Sequence, residues 1–158
     1  MRIIKHIPNT ITSMNLLCGA LGVIAAFKGW MDTAFYLMLA GAVCDFCDGL
    51  AARILNAYSP MGKELDSLAD MVTFGVAPAM IMYRFQAEAN FLIYLPLLIA
   101  VFSGLRLAKF NIDTRQTNTF IGLPTPANAL FWSSLVTGAG HWIFNLNAGW
   151  FLMLGLIL

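Results

Sequence analysis

The sequence is poor in charge. Asp, Glu, Lys and Arg make up only 11% of its 158 residues, and nine basic against eight acidic side chains leave a net charge of +1. A soluble domain carries about 25% charged residues. A near-neutral balance with no arginine-rich helix and no basic tail gives no argument for nucleic acid as a partner, and none is expected. Histidine and cysteine are scarce too. Cys18, Cys44 and Cys47 are odd in number and lie inside apolar segments, which argues against a disulfide framework. His6 and His141 are far from them in sequence, which argues against a zinc site. The cysteines read as small buried hydrophobes. A longer polar stretch lies only at 111–124, and no soluble domain, low-complexity segment or internal repeat stands out.

What remains is apolar. Hydrophobic residues make up 59% of the chain, and its mean hydropathy is +0.76. A helix crossing a bilayer needs about 20 mostly apolar residues. Five segments approach that length: 8–27, 33–55, 64–83, 91–110 and 126–145. The first follows a basic start but shows no small-residue cleavage site, so it reads as a spanning helix rather than a cleavable signal. A sixth apolar run, from Trp150 to Leu158, is too short to span by itself. The expected fold is all-α, a polytopic bundle of about six transmembrane helices with the sixth incomplete, forming one membrane domain over 1–158. Arg2, Lys5, Arg53, Lys63, Arg106, Lys109 and Arg115 fall at one membrane face, and Lys28 and Arg84 at the other. The basic-residue rule makes the richer face cytoplasmic.

Against this background the stretch DFCDGLAARILNAYSPMGKELDSLAD stands out. It holds Asp45, Asp48, Asp66 and Asp70, which alone are half of the eight acidic residues, and Glu64 besides. Unpaired charge in a membrane helix is costly. Asp45, Asp48, Gly49 and Ala52 share one helical face, so two carboxylates stand one turn apart beside two residues with almost no side chain. Pro60 and Gly62 read as breakers, and the next helix is expected to start near Gly62 or Lys63. Asp66 and Asp70 then share a face of its first two turns. A short helical hairpin can therefore aim four carboxylates at one point. Four such charges repel one another unless compensated, and two divalent cations would balance them. An all-oxygen donor set favours Mg²⁺, Mn²⁺ or Ca²⁺, and paired metals suit displacement at phosphorus. Intramembrane salt bridges, for example to Arg53, and an ion pathway of a small transporter or channel are the competing uses of these acids.

The spacing Asp45-x2-Asp48-Gly49-x2-Ala52-Arg53-x8-Gly62-x3-Asp66-x3-Asp70 resembles the signature of the CDP-alcohol phosphotransferase family, with every position filled. The flanking IPNTITSMNLLCG, FGVAPA and SGLRLAKFN…GLPTPANA resemble its integral-membrane, serine-using bacterial branch. The resemblance covers roughly residues 3–132. It implies a six-helix membrane fold, a homodimer, and a polar cavity open to the cytoplasm in the bacterial cytoplasmic membrane. It also implies transfer of a phosphatidyl group from CDP-diacylglycerol to L-serine, giving phosphatidylserine and CMP, with Mg²⁺ or Mn²⁺. Carried onto this chain, Asp45, Asp48, Asp66 and Asp70 hold metal and Asp70 doubles as general base. Gly49, Ala52, Arg53 and Gly62 meet the CDP-lipid. The serine carboxylate calls for a cation, for which Arg106, Lys109 and Arg115 are candidates, with Thr125 and Asn128 nearby. The aspartates alone leave glycerol 3-phosphate or inositol phosphate open as acceptors.

Overall fold

The computed structural model describes residues 6–85, 94–112 and 124–144, with side chains to Gly138. All regular structure among them is helical: α1 Ile7–Phe27, α2 Met31–Ile54, α3 Pro60–Asp70, a π-helical segment Met71–Val76, α4 Ala77–Phe85, α5 Leu97–Ile112 and α6 Thr125–Phe144. The third rod is continuous from α3 through the π-helical segment to α4. Three rods, Ile7–Phe27, Met31–Ile54 and Pro60–Phe85, are long and apolar enough to cross a bilayer. At 16 residues, α5 is shorter than a full span. The described residues thus hold five rods, and the short run at 150–158 lies outside them.

Packing is inverted relative to a water-soluble bundle. The buried positions of α1 include Thr12, Asn15, Gly19, Gly22, Ala25 and Ala26, whereas Leu17, Leu21, Ile24 and Phe27 face outward. On α2, Ala34, Met38, Gly41 and Asp48 are buried, and Val43 and Phe46 are 58% and 72% exposed. Lipid tails are as apolar as leucine, so hydrophobicity does not drive these helices together. Small residues let the backbones approach instead. A larger apolar cluster, Ala25, Ala26, Ala34, Ile81, Met82, Ile99, Trp132 and Val136, lies away from the aspartates and ties α4, α5 and α6 to the first two helices.

Local chemistry sets the ends of the rods. Gly29 takes φ +80° in the turn after α1, a conformation open to glycine. Ser59, extended at φ −143°, caps α3 by accepting the Gly62 amide at 3.0 Å. Pro60 is the first helical residue, where its missing N–H is harmless and its fixed φ suits the helix. The helix therefore starts two or three residues before the expected Gly62 or Lys63, and Pro60 and Gly62 open it rather than break it. The fourth expected segment, 91–110, begins instead at Leu97, directly after Pro96, which cannot donate to an earlier turn. α6 starts at Thr125 as the prolines suggest, with the Asn128 amide donating to the Pro124 carbonyl at 3.0 Å.

Candidate active site

α1 is the floor of the site. It packs along α2 and also against α3 and the π-helical segment, while α2 and α3 scarcely touch each other. The hairpin expected from sequence is therefore spread open over α1, and carboxylates fill the gap between its arms. Asp45 and Asp48 enter from α2 and Asp66 from α3. One carboxylate oxygen from each of the three lies within 4.8 Å of the others. Asp70 stands outside that group of three, yet Asp45 is in contact with both Asp66 and Asp70.

Among the described residues no cation compensates the four acids. Their polar contacts are to one another, to Thr12, to the Gly49 backbone and to Asn15. Arg53, in the last turn of α2, is exposed, so the salt-bridge use of the acids finds no support among the described residues. Asp48 is 5% exposed, and its Oδ2 has no hydrogen-bond partner. A buried acceptor left unsatisfied costs about 1–3 kcal/mol, more if charged. An orphaned carboxylate oxygen inside an all-oxygen cluster is what a hard divalent cation would satisfy. The residues present thus fit a metal of the Mg²⁺ or Mn²⁺ type, held by Asp45, Asp48 and Asp66 with Asp70 adjacent.

The small residues of the stretch divide into two kinds. A Cβ at Gly49 would meet nothing within 4 Å. Gly49 is therefore open space beside the carboxylates and not a helix-packing contact among the described residues. A Cβ at Gly62 would lie 2.9 Å from Asn9 Oδ1 and 3.0 Å from Ser59 Oγ, so Gly62 closes α3 against α1 and its own cap. Ala52 is half-buried on the Gly49 side of α2.

The candidates for an acceptor pocket come from α5 and α6. Arg106 is half-buried and engaged in a contact, and Lys109 is exposed one turn later. Arg115 lies outside the described residues. The end of α5 is fastened to α3: Lys63 Nζ donates to the Asn111 carbonyl at 3.2 Å, and Asn111 Nδ2 donates to Ser67 Oγ at 2.8 Å. Ser67 neighbours Asp66, so this link ties the end of α5 to the helix that carries Asp66 and Asp70. Thr125 is buried and Asn128 half-buried at the start of α6.

Sequence reasoning did not single out Asn15. It is fully buried on α1, and its Nδ2 donates to Asp70 Oδ1 at 3.4 Å, a long hydrogen bond. The available signal was an amide in the middle of an apolar span, where polar groups are costly and usually functional. Thr73, in the π-helical segment, was missed as well. Its hydroxyl donates to the Asn15 carbonyl at 3.1 Å.

Comparison with known proteins bears on the same residues. The profile of the CDP-alcohol phosphatidyltransferase family matches residues 5–158. A Bacillus subtilis protein named CDP-diacylglycerol--serine O-phosphatidyltransferase is 44% identical over 124 residues, covering 77% of this chain and 70% of that protein. Proteins of the same name from Helicobacter pylori strain J99 and from Methanocaldococcus jannaschii are 38% and 35% identical, covering 78% and 82% of this chain. The chain spans 54% of the Helicobacter protein and 60% of the Methanocaldococcus protein. A profile match over nearly the whole length, joined to a complete aspartate signature whose carboxylates meet in space, places the chain in the CDP-alcohol phosphatidyltransferase family.

Proposed function

We propose that this chain transfers the phosphatidyl group of CDP-diacylglycerol to L-serine, releasing CMP. The observation that carries the chemistry is the meeting of Asp45, Asp48 and Asp66 across the α2–α3 gap with a buried orphan oxygen on Asp48. The choice of serine rests on relatives that bear the name of that activity. In this reading residues 1–158 form one membrane domain, working as a homodimer with the site facing the cytoplasm. The basic-residue asymmetry supports the orientation, and the family resemblance supports the dimer.

Bound at Asp45, Asp48 and Asp66, with Asp70 beside them, Mg²⁺ or Mn²⁺ in one or two copies would supply positive charge against the donor's pyrophosphate. The chain's own groups do the rest. The space beside Gly49 and Ala52 admits the cytidine end of the donor. Arg53, exposed at the end of α2, pairs with a donor phosphate, since none of the described aspartates engages it. Asp70 accepts the proton of the serine hydroxyl as that oxygen attacks the phosphorus nearest the lipid. The bond to the CMP oxygen breaks, and CMP leaves. Arg106, with Lys109 and Arg115 as neighbours in sequence, binds the serine carboxylate.

Incubating membranes that contain the protein with CDP-diacylglycerol and labelled serine, followed by lipid extraction, tests this reading. Label in phosphatidylserine is the expected result. Label entering lipid only from glycerol 3-phosphate or inositol phosphate would keep the chemistry and overturn the acceptor.

A further inference from the structure

Three side chains close a ring between α3 and the end of α5. The Ser67 hydroxyl donates to the Lys63 carbonyl at 3.2 Å and accepts from Asn111 Nδ2 at 2.8 Å. Lys63 Nζ then donates to the Asn111 carbonyl at 3.2 Å. Each of the three residues is thus bonded to the other two. Asn111 is the last residue but one of α5, where backbone carbonyls have no partner within the helix and a cation is favoured. Lys63 lies in the first turn of α3, where a cation is disfavoured. Its place suits the helix end it caps and not its own helix.

A second contact pins α5 two turns earlier. A Cβ at Gly104 would lie 3.3 Å from Met71 Sδ, and one at Gly75 would lie 3.2 Å from Ser103 Cβ and 3.7 Å from Ala100 Cα. The two rods therefore run close and antiparallel, with Gly104 level with Met71 and Asn111 level with Ser67. Between the two contacts, α5 carries Arg106 and Lys109 and the third rod carries Asp70. Arg106 sits on a segment held to the aspartate helix at both ends.

We propose that Lys63, Ser67 and Asn111 are positioning residues for the acceptor, their ring holding the Arg106 turn of α5 at a fixed distance from the aspartate helix. The proposal rests on the reading of Arg106 as the partner of the acceptor's anionic group. An acceptor held at one end by Arg106 must bring the hydroxyl at its other end to the phosphorus, so a shift of α5 moves the hydroxyl with it. A misplacement of about 1 Å can cost about 10²-fold. The ring acts through Arg106 and not on the substrate itself.

The test uses Ser67→Ala, which removes two of the three bonds at a half-buried site, and Lys63→Met, which removes the third at an exposed one. A net hydrogen bond corresponds to about 2- to 12-fold. Each variant should raise the KM for serine by about that factor with the KM for CDP-diacylglycerol unchanged, and Ser67→Thr, which keeps the hydroxyl, should hold the wild-type value. In an Arg106→Ala background Ser67→Ala should raise the serine KM no further. An equal rise of both KM values, or an equal further rise in the Arg106→Ala background, would make the ring a packing feature and overturn the proposal. A raised serine KM in Ser67→Ala but not in Arg106→Ala would refute Arg106 as the group being placed and overturn the proposal with it. A second readout needs no substrate. Amide hydrogen exchange over 105–112 should be faster in Ser67→Ala than in wild type, with α1 and α2 unchanged, and unchanged exchange at 105–112 would overturn the proposal. If wild type uses glycerol 3-phosphate or inositol phosphate instead, serine fails as the acceptor, and the same KM comparison with that anionic acceptor decides the role of the ring.

Discussion

Replacing Gly49 with alanine should separate stability from activity. Glycine inside a helix costs about 1 kcal/mol relative to alanine. At Gly49 nothing opposes regaining that amount, because the added Cβ meets no atom within 4 Å. For a protein of this size 1 kcal/mol corresponds to a rise in Tm of about 2–4 °C. If the space beside Gly49 holds the cytidine end of the donor, the same methyl intrudes on substrate. Overfilling a packed site costs about 1–3 kcal/mol, or about a 5- to 150-fold fall in kcat/KM for CDP-diacylglycerol. The assay pairs a thermal melt in detergent with initial rates across donor concentrations at saturating serine. Gly41→Ala is the contrast: its Cβ would lie 2.6 Å from Thr73 Cγ2 and 2.9 Å from Asn15 Oδ1, so Tm and rate should fall together. A Gly49→Ala protein with higher Tm and undiminished kcat/KM would refute the substrate slot. A lower Tm would refute the reading of this glycine as unpacked.

Asn substitutions at Asp45, Asp48 or Asp66 should weaken metal binding, so that raised Mn²⁺ recovers part of the rate. Asp70→Asn should lose about 10²–10⁴-fold, and a metal titration at saturating substrates should restore little of it. Thorough chelation should abolish turnover and added Mg²⁺ or Mn²⁺ should restore it; full activity after chelation would remove the metal from the reading. Arg106→Ala should raise the KM for serine far more than that for the CDP-lipid, and an unchanged serine KM would remove Arg106 from the acceptor pocket. A single cysteine at Tyr58, which is 72% exposed in the α2–α3 turn, should label only from the cytoplasmic side of a cysteine-free variant, and labelling from outside intact cells would reverse the orientation.

The helices of this chain are legible because apolar runs in a bilayer have little choice of structure. The aspartate cluster is legible because its residues are costly there and regularly spaced. The roles of Pro60 and Gly62 were not, because the same two residues can end one helix or begin the next, and only Ser59 accepting the Gly62 amide decides between them. Asn15 was hidden for a different reason. Its partners Asp70 and Thr73 are 55 and 58 residues away, and no local spacing encodes which helix will lie beneath the aspartates. The division of labour between Gly49 and Gly62 likewise depends on what stands opposite each of them.

The π-helical segment Met71–Val76 begins at the residue after Asp70. Such a turn accommodates one residue more than an α-turn, and one residue corresponds to about 100° of rotation. The rod therefore changes phase between its acidic half and its packed half. Asp66 and Asp70 can look into the gap while Phe74, Ala77 and Ile81, all buried, look into the apolar interior. A change of helix type would act here as a rotation. If Met71–Val76 wound as regular α-helix with all 6 residues kept, the two aspartates would turn away from Asp45 and Asp48 by about a quarter of a circle, even though every residue of the signature would still be present at its proper spacing.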